Sequence, residues 1–505
     1  MHSELLSRRT VLRTLALAAG ASCTPSAFSF AASAFASQRP APSARKFRSK
    51  AVDAAIDATT AKLRDPELAW LFANCLPNTL DTTVSFGSFE GKPDTVVVTG
   101  DIPAMWLRDS SAQLWPYMQF LAQDADLARL IEGVIRRQTR CILADPYANA
   151  FMPDLNARVP LEWSVHDQTK MHPGVGERKW EVDSLCYPVR LAHRYWKETH
   201  DASPFDARWV EAMQAIIDTF KTQQRKTSRG PYSFQRSAAT PNDTLSEDGF
   251  GNPARPIGLI FSGFRPSDDA CAYPLNIPGN FFAVRTLLRI EEMLTEIARD
   301  TTAARNARQL ADEISAVLQA HARFHHPTAG EIYAYEIDGF GNAIFMDDAN
   351  APSLLAMPYL ESCTIDDPAY QATRKFVLSD ANPYFFLGSA AEGIGGPHIG
   401  QDMIWPMSII LRALTTHDER EQLQCLRWLK STHAGTGFMH ESFNKDDPKK
   451  FTRAWFAWAN TLFGELILTL AKNSPGTLAN LTQKEKAGAI APASSDQQLS
   501  TSSLP

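Results

Sequence analysis

The chain has 505 residues, 44% of them hydrophobic and 21% charged, enough to bury a large core and too apolar to be disordered throughout. A formal net charge of −6 argues against the basic footprint that nucleic acid would need. Aromatic residues make up 10% of the chain, with 11 Trp, enough to furnish a core and also a cleft that stacks on sugar rings.

At the N-terminus, "SRRTVLRTLALAAGA" sets Arg8 and Arg9 ahead of an apolar run, and "AFA" at 34–36 offers a small-residue cleavage site. This pattern predicts a twin-arginine signal over 1–36, so that the folded protein is exported to the periplasm or beyond by the twin-arginine translocation machinery. No later run reaches the ~18–20 apolar residues of a membrane span. Two short stretches, "DTVVV" at 94–98 and "GEIYAYEID" at 330–338, predict hairpin strands.

Helical spacing dominates the remainder. Leu127, Leu130, Ile131, Val134 and Ile135 form one stripe, and Met213, Ile216, Ile217 and Phe220 a second. Ile290, Met293, Leu294 and Ile297 form a third, and Ala307 through Leu318 a fourth. Six times a Gly- or Pro-punctuated loop bearing acids or aromatics leads into an apolar helix, with an amphipathic helix after it. These loops are "TGDIPAMWLRDS" (99–110), "GERKWEVDS" (176–184), "FSGFRPSDDACAYP" (261–274), "FMDDANAPS" (345–353), "GIGGPHIGQDM" (393–403) and "HESFNKDDPKKFTRAW" (440–455). Six inner and six outer helices predict an all-α (α/α)6 barrel over 45–473 with a few short hairpins, its rim loops converging on one pocket; a less closed helical solenoid is the alternative. Beyond it, 474–505 is low-complexity and expected to be disordered.

The six cysteines after the signal are widely spaced in apolar contexts, which predicts buried thiols, with one or two disulfides open to an exported chain. HExxH, EF-hand, Walker, Rossmann and GxSxG patterns do not occur, so neither a metal nor a cofactor is expected. Carboxylates and aromatic rings gathered at one rim suit glycosidic bond cleavage. One carboxylic acid protonates the leaving oxygen, and a second carboxylate activates water or attacks the anomeric carbon.

"TGDIPAMWLRDSSAQLWPY", "WEVDSLCYP", "FSGFRPSDDACAYPLNIPGNFFA" and "GTGFMHESFNKDDPKKFTRAWFAWANTLFGE" closely resemble glycoside hydrolase family 125, metal-independent exo-α-1,6-mannosidases, over roughly residues 50–472. The resemblance implies an (α/α)6 barrel, inversion at the anomeric carbon and release of non-reducing terminal mannose from an oligosaccharide or glycan. It also implies that the general acid lies in the Asp268–Asp269 pair, where Asp268 is favoured, and that Glu441 is the general base. Two adjacent desolvated carboxyls cannot both ionise cheaply, which suits one of them to hold a proton. Asp269 either joins the site or caps the next helix. Arg108 and Asp109 read as the pair that grips the innermost sugar, with Trp106 as a wall, or else as an internal ion pair. Asp183 either shares that grip or serves as an N-cap. His398, Gln401 and Asn280 are weaker substrate-binding candidates, and His440 either orients Glu441 or packs. Trp455 is a possible aromatic rim. Another (α/α)6 enzyme, a glucosidase or a lyase, and a non-catalytic sugar-binding protein are the competing readings.

Overall fold

The computed structural model describes residues 35–237 and 240–481, so the expected signal lies almost wholly outside the described residues. Helices carry the architecture. Ala125–Ala144 starts at Asp124, whose carboxylate accepts from the Leu127 amide at 3.0 Å, and buries all five residues of the first stripe. Ala207–Gln223 buries the whole second stripe. Ile277–Met293 has Pro278 in its first turn and Asn276 as N-cap, then passes into a π-helical turn, Leu294–Ala298.

Three of the expected inner helices are long. Val182–Thr199 packs between Leu107–Ala112 and Ile277–Met293, and Ala457–Asn473 touches both Leu107–Ala112 and Pro406–Leu414. The amphipathic helices Ala125–Ala144, Ala207–Gln223, Thr301–His321 and Glu419–Ser431 lie against this inner set or against one another. Pro66–Cys75 joins them, in contact with both Glu419–Ser431 and Ala457–Asn473.

Two inner segments depart from expectation. The first is a short α-helix, Leu107–Ala112, followed by a 3₁₀ stretch, Trp115–Gln123; Pro116 lacks the N–H that would continue an α-helix through it. After "FMDDANAPS" there is no inner helix. Residues 353–362 run as successive turns that still bury Leu354, Leu355, Met357 and Leu360. Pro352 and Pro358 leave too little chain between them for a stable helix. The buried Asp347 carboxylate instead takes the Leu354 and Leu355 amides, at 2.8 and 2.9 Å.

Helix is the main regular structure, but the described residues hold more strand than expected. Six small antiparallel sheets occur among the described residues. "DTVVV" falls largely in Lys92–Val97, paired with Val84–Phe89. Three of the sheets place a strand directly before an inner helix: Met105–Trp106, Leu275–Asn276 and Met403–Ile404. They supply the buried rim loops with backbone partners that no helix could give them. The six described cysteines are free thiols, five of them buried. No helix among the described residues is long and apolar enough to cross a membrane.

The ordered chain also runs past residue 473. Pro475–Asn480 is helical, and Leu478 and Leu481 are buried in the main core, so the first eight residues of the expected tail belong to the fold.

Candidate active site

A pocket opens where the loops meet. Trp106, Arg108, Asp109, Asp268, His398 and Glu441 line it, so six of the twelve residues singled out in the sequence converge on one space. Trp106 has its back to a small apolar cluster of Ile102, Ala104, Ala150 and Leu161, which holds the indole against the pocket.

Arg108 is the hub of one wall. Its Nη1 donates to Glu181 Oε2 at 2.7 Å and to Asp183 Oδ2 at 3.1 Å. Asp109 Oδ2 stands 3.7 Å from Nε, and Asp268 Oδ1 stands 3.8 Å from Nη2. Burial alone would lower the proton affinity of this guanidinium, but the four surrounding carboxyls raise it well above the usual range. Burial likewise raises the Asp109 and Asp183 carboxyls, against the pull of Arg108. Asp109 Oδ1 also accepts the Thr99 hydroxyl. Asp183 therefore acts through Arg108 and is not itself part of the pocket lining.

The opposite wall has its own guanidinium. Arg453 Nη1 is 3.4 Å from Glu441 Oε1, while Nη2 donates to the Thr99 carbonyl at 2.8 Å and pairs with Asp101. His440 does not orient Glu441. Its ring stacks on Phe451 at 3.9 Å, and Nδ1 donates to the Ala454 carbonyl at 3.0 Å. Burial lowers its proton affinity, which suits a neutral packing role.

The two adjacent aspartates diverge. Asp268 takes a left-handed backbone conformation, φ 69°, and its carboxyl faces the pocket. The buried Lys179 holds this turn by donating to the Asp268 carbonyl at 2.7 Å. Ser267 Oγ donates to Asp348 at 2.6 Å, and Arg265 forks onto Glu336 at 2.6 and 3.0 Å, so the flanking residues are held as well. Asp269 turns away to accept from Asn242 at 2.6 Å, with His398 Nδ1 3.5 Å off, and it lies outside the pocket lining. The like-charge neighbour of Asp268 is thus not Asp269 but Glu181, which shares the Arg108 guanidinium with it, at 2.7 Å from Nη1 where Asp268 is 3.8 Å from Nη2.

Two further expectations need correction. Asn280 is a structural brace. Its Oδ1 accepts from the Ile260 amide at 2.8 Å, and its Nδ2 donates to the Ile260 and Asn276 carbonyls, which uses the whole buried amide on backbone. Gln401 is exposed in a turn of its loop and does not reach the pocket. Trp455 packs near Gly100, while Trp405, Phe456 and Trp458 supply the aromatic wall, with Trp405 and Phe456 edge to face at 6.2 Å.

Thr99, Ser267, Asn350 and Arg453 also line the pocket, and all four fall inside the loops already singled out. Glu181 sits two residues before Asp183 in the same motif. Membership of a rim loop was the available signal; a loop position by itself does not say whether a side chain faces the pocket.

The family model of metal-independent alpha-mannosidases, GH125, matches residues 65–468. This chain belongs to the GH125 family. It is 43% identical over 458 residues to the meiotically up-regulated gene 157 protein of Schizosaccharomyces pombe, covering 87% of this chain and 89% of that protein. A solved metal-independent alpha mannosidase of Streptococcus pneumoniae, in a non-productive complex with α-1,6-mannobiose, is 42% identical and superimposes with a TM-score of 0.80. That match covers 84% of this chain and 99% of the other. The chain is accordingly a glycoside hydrolase of the GH125 α-mannosidase family.

Proposed function

We propose that this GH125 protein is an inverting, exo-acting α-mannosidase that removes non-reducing terminal α-1,6-linked mannose, with Asp268 as general acid and Glu441 as general base. The observation that carries the reading is that Asp268 and Glu441, from the third and sixth rim loops, line one pocket whose walls are organised by Arg108 and Arg453. Inversion needs room for a water on the face opposite the leaving group, with about 6.5–9.5 Å between the two carboxyls. Asp268 gives its proton to the glycosidic oxygen as the bond to the anomeric carbon breaks. Glu441 takes a proton from the water that attacks the opposite face. Arg108, Asp109 and Trp106 supply donors, acceptors and a flat surface for the terminal sugar. The mannobiose held by the Streptococcus pneumoniae relative supports the 1,6 linkage for this chain. We read the paired helices as an (α/α)6 barrel whose fourth inner segment is a run of turns, and the N-terminal twin arginines as the mark of export.

The test is NMR of the first-formed sugar from α-1,6-mannobiose together with two variants. The β-anomer should appear first. Asp268→Asn should cost far more on mannobiose than on aryl mannosides, whose leaving groups need little acid help. Glu441→Gln should slow both by about 10²–10⁴-fold. An initial α-anomer, or near-normal turnover of Glu441→Gln, would overturn the assignment.

A further inference from the structure

The proposed mechanism leaves unused one carboxyl buried behind the pocket wall. Glu181 is fully buried at the N-cap of helix Val182–Thr199, yet it does not cap that helix with its side chain. Its Oε2 is held twice, by Arg108 Nη1 at 2.7 Å and by Ser184 Oγ at 2.8 Å. Its Oε1 is buried and receives no N–H or O–H from these neighbours. Asp268 flanks the same guanidinium, its Oδ1 3.8 Å from Arg108 Nη2.

We propose that Glu181 is a positioning residue for the general acid: Glu181 and Asp268 hold a single proton between them, and the Glu181 charge keeps that proton available on Asp268. The inference rests on the assignment of Asp268 as the acid.

Four buried carboxyls around one guanidinium cannot all ionise without a large electrostatic cost, so the Glu181–Asp268 pair retains one proton where an isolated aspartate would lose it. Arg108 and Ser184 settle which partner carries the charge, since both stabilise the anion of Glu181. The other charged groups facing the pair are Asp183 beside Arg108, Asp109 on the far side of the guanidinium, and Lys179 on the Asp268 carbonyl. Cys271 and Tyr232 are the remaining titratable neighbours of Glu181, and burial holds both protonated. Burial, with Asp268 and Asp183 as like charges, raises the Glu181 carboxyl well above its ordinary range despite Arg108, as a coupled pair requires. In the reaction the Asp268 proton passes to the glycosidic oxygen as the C–O bond breaks. The adjacent Glu181 charge opposes the resulting Asp268 anion and favours its reprotonation from water before the next turnover.

Glu181→Gln removes the charge and keeps the shape. On α-1,6-mannobiose the basic limb of its kcat/KM profile should fall by about 1–3 pH units, the shift a neighbouring charge produces. An aryl mannoside with a good leaving group should show little change. A lower activity with the basic limb unmoved would make Glu181 merely structural and overturn the proposal, as would a limb moved to higher pH. A second measurement needs neither turnover nor a Glu181 variant. The infrared stretch of a protonated carboxyl in the wild-type pocket should titrate with the basic limb and vanish in Asp268→Asn, where Glu181, freed from its like charge, ionises against Arg108. Persistence of that band on Glu181 in Asp268→Asn would also overturn the proposal. Absence of any mannobiose turnover in the wild type would instead refute the proposed function and leave the infrared test intact.

Discussion

Two guanidiniums divide the pocket. Arg108 gathers Asp109, Glu181, Asp183 and Asp268 on one side, and Arg453 gathers Asp101 and Glu441 on the other. Buried charges persist only when paired, so each carboxylate that faces substrate is held by a group that does not react. Asp109→Ala should therefore raise KM and lower kcat together, because hydroxyl contacts strengthen as the ring distorts toward the transition state. Wild-type kinetics with only a lower Tm would reduce Arg108 and Asp109 to an internal ion pair. Asn280→Ala should behave in the opposite way. It strands the Ile260 amide and carbonyl in the core, a loss of about 1–3 kcal/mol per stranded group. Steady-state kinetics of the folded fraction should match wild type; a selective rise in KM would restore Asn280 to the sugar site.

At the scale of elements, helices begin where the sequence offers caps and proline. Asp124, Asn276 and Asp300 each accept amides of the first turn, and Pro66, Pro278, Pro368 and Pro406 open their helices. Where a carboxylate instead sits inside the core, the segment pays attention to pH. Burial pushes Asp347 up to about 8, against the Leu355 and Leu354 amides that favour its anion. An unfolded aspartate titrates near about 4, so the folded chain binds the extra proton between those values. The stability this contributes is fully present below about pH 4 and is lost as pH rises through about 8. Asp347→Asn should flatten the decline of Tm with pH across that window. Parallel Tm-versus-pH curves for variant and wild type would exclude the effect.

For the molecule as a whole, the described residues form one main core that extends through Leu478 and Leu481. A chain ended at 481 should keep the wild-type Tm, whereas one ended at 473 loses two buried leucines worth about 1.5–3 kcal/mol each. Equal melting of the two truncations would return residues 474–481 to a dispensable tail. Charge compensation inside the pocket comes from Arg108 and Arg453, so activity should survive prolonged chelator treatment. Loss of activity that added Ca²⁺ or Zn²⁺ restores would mean that the loop carboxylates hold a cation. Export is a property of the whole precursor. Replacing Arg8 and Arg9 by Lys should leave it in the cytoplasm, and normal export of that double variant would refute the twin-arginine assignment.

The helical stripes, the rim loops and the family were legible in the sequence because each depends on local order. Periodic apolar residues bury one helix face whatever the neighbours are, and long composite motifs such as "FRPSDDACAYP" and "TGFMHESFN" carry their resemblance in the residues themselves. Only the tertiary structure decided which side chain of a loop faces the pocket. Asp268 and Asp269 are adjacent and chemically identical; the left-handed turn held by Lys179, 89 positions away, turns the first inward and leaves the second to Asn242. Asn280 has the chemistry of a sugar ligand and is spent on the backbone of Ile260, a partner 20 residues earlier. Glu181, two residues before Asp183, takes its role only from the fold, because Arg108 gathers it with Asp268 from a distant loop. Local chemistry fixes what a residue can do, and long-range packing selects which of those roles it performs.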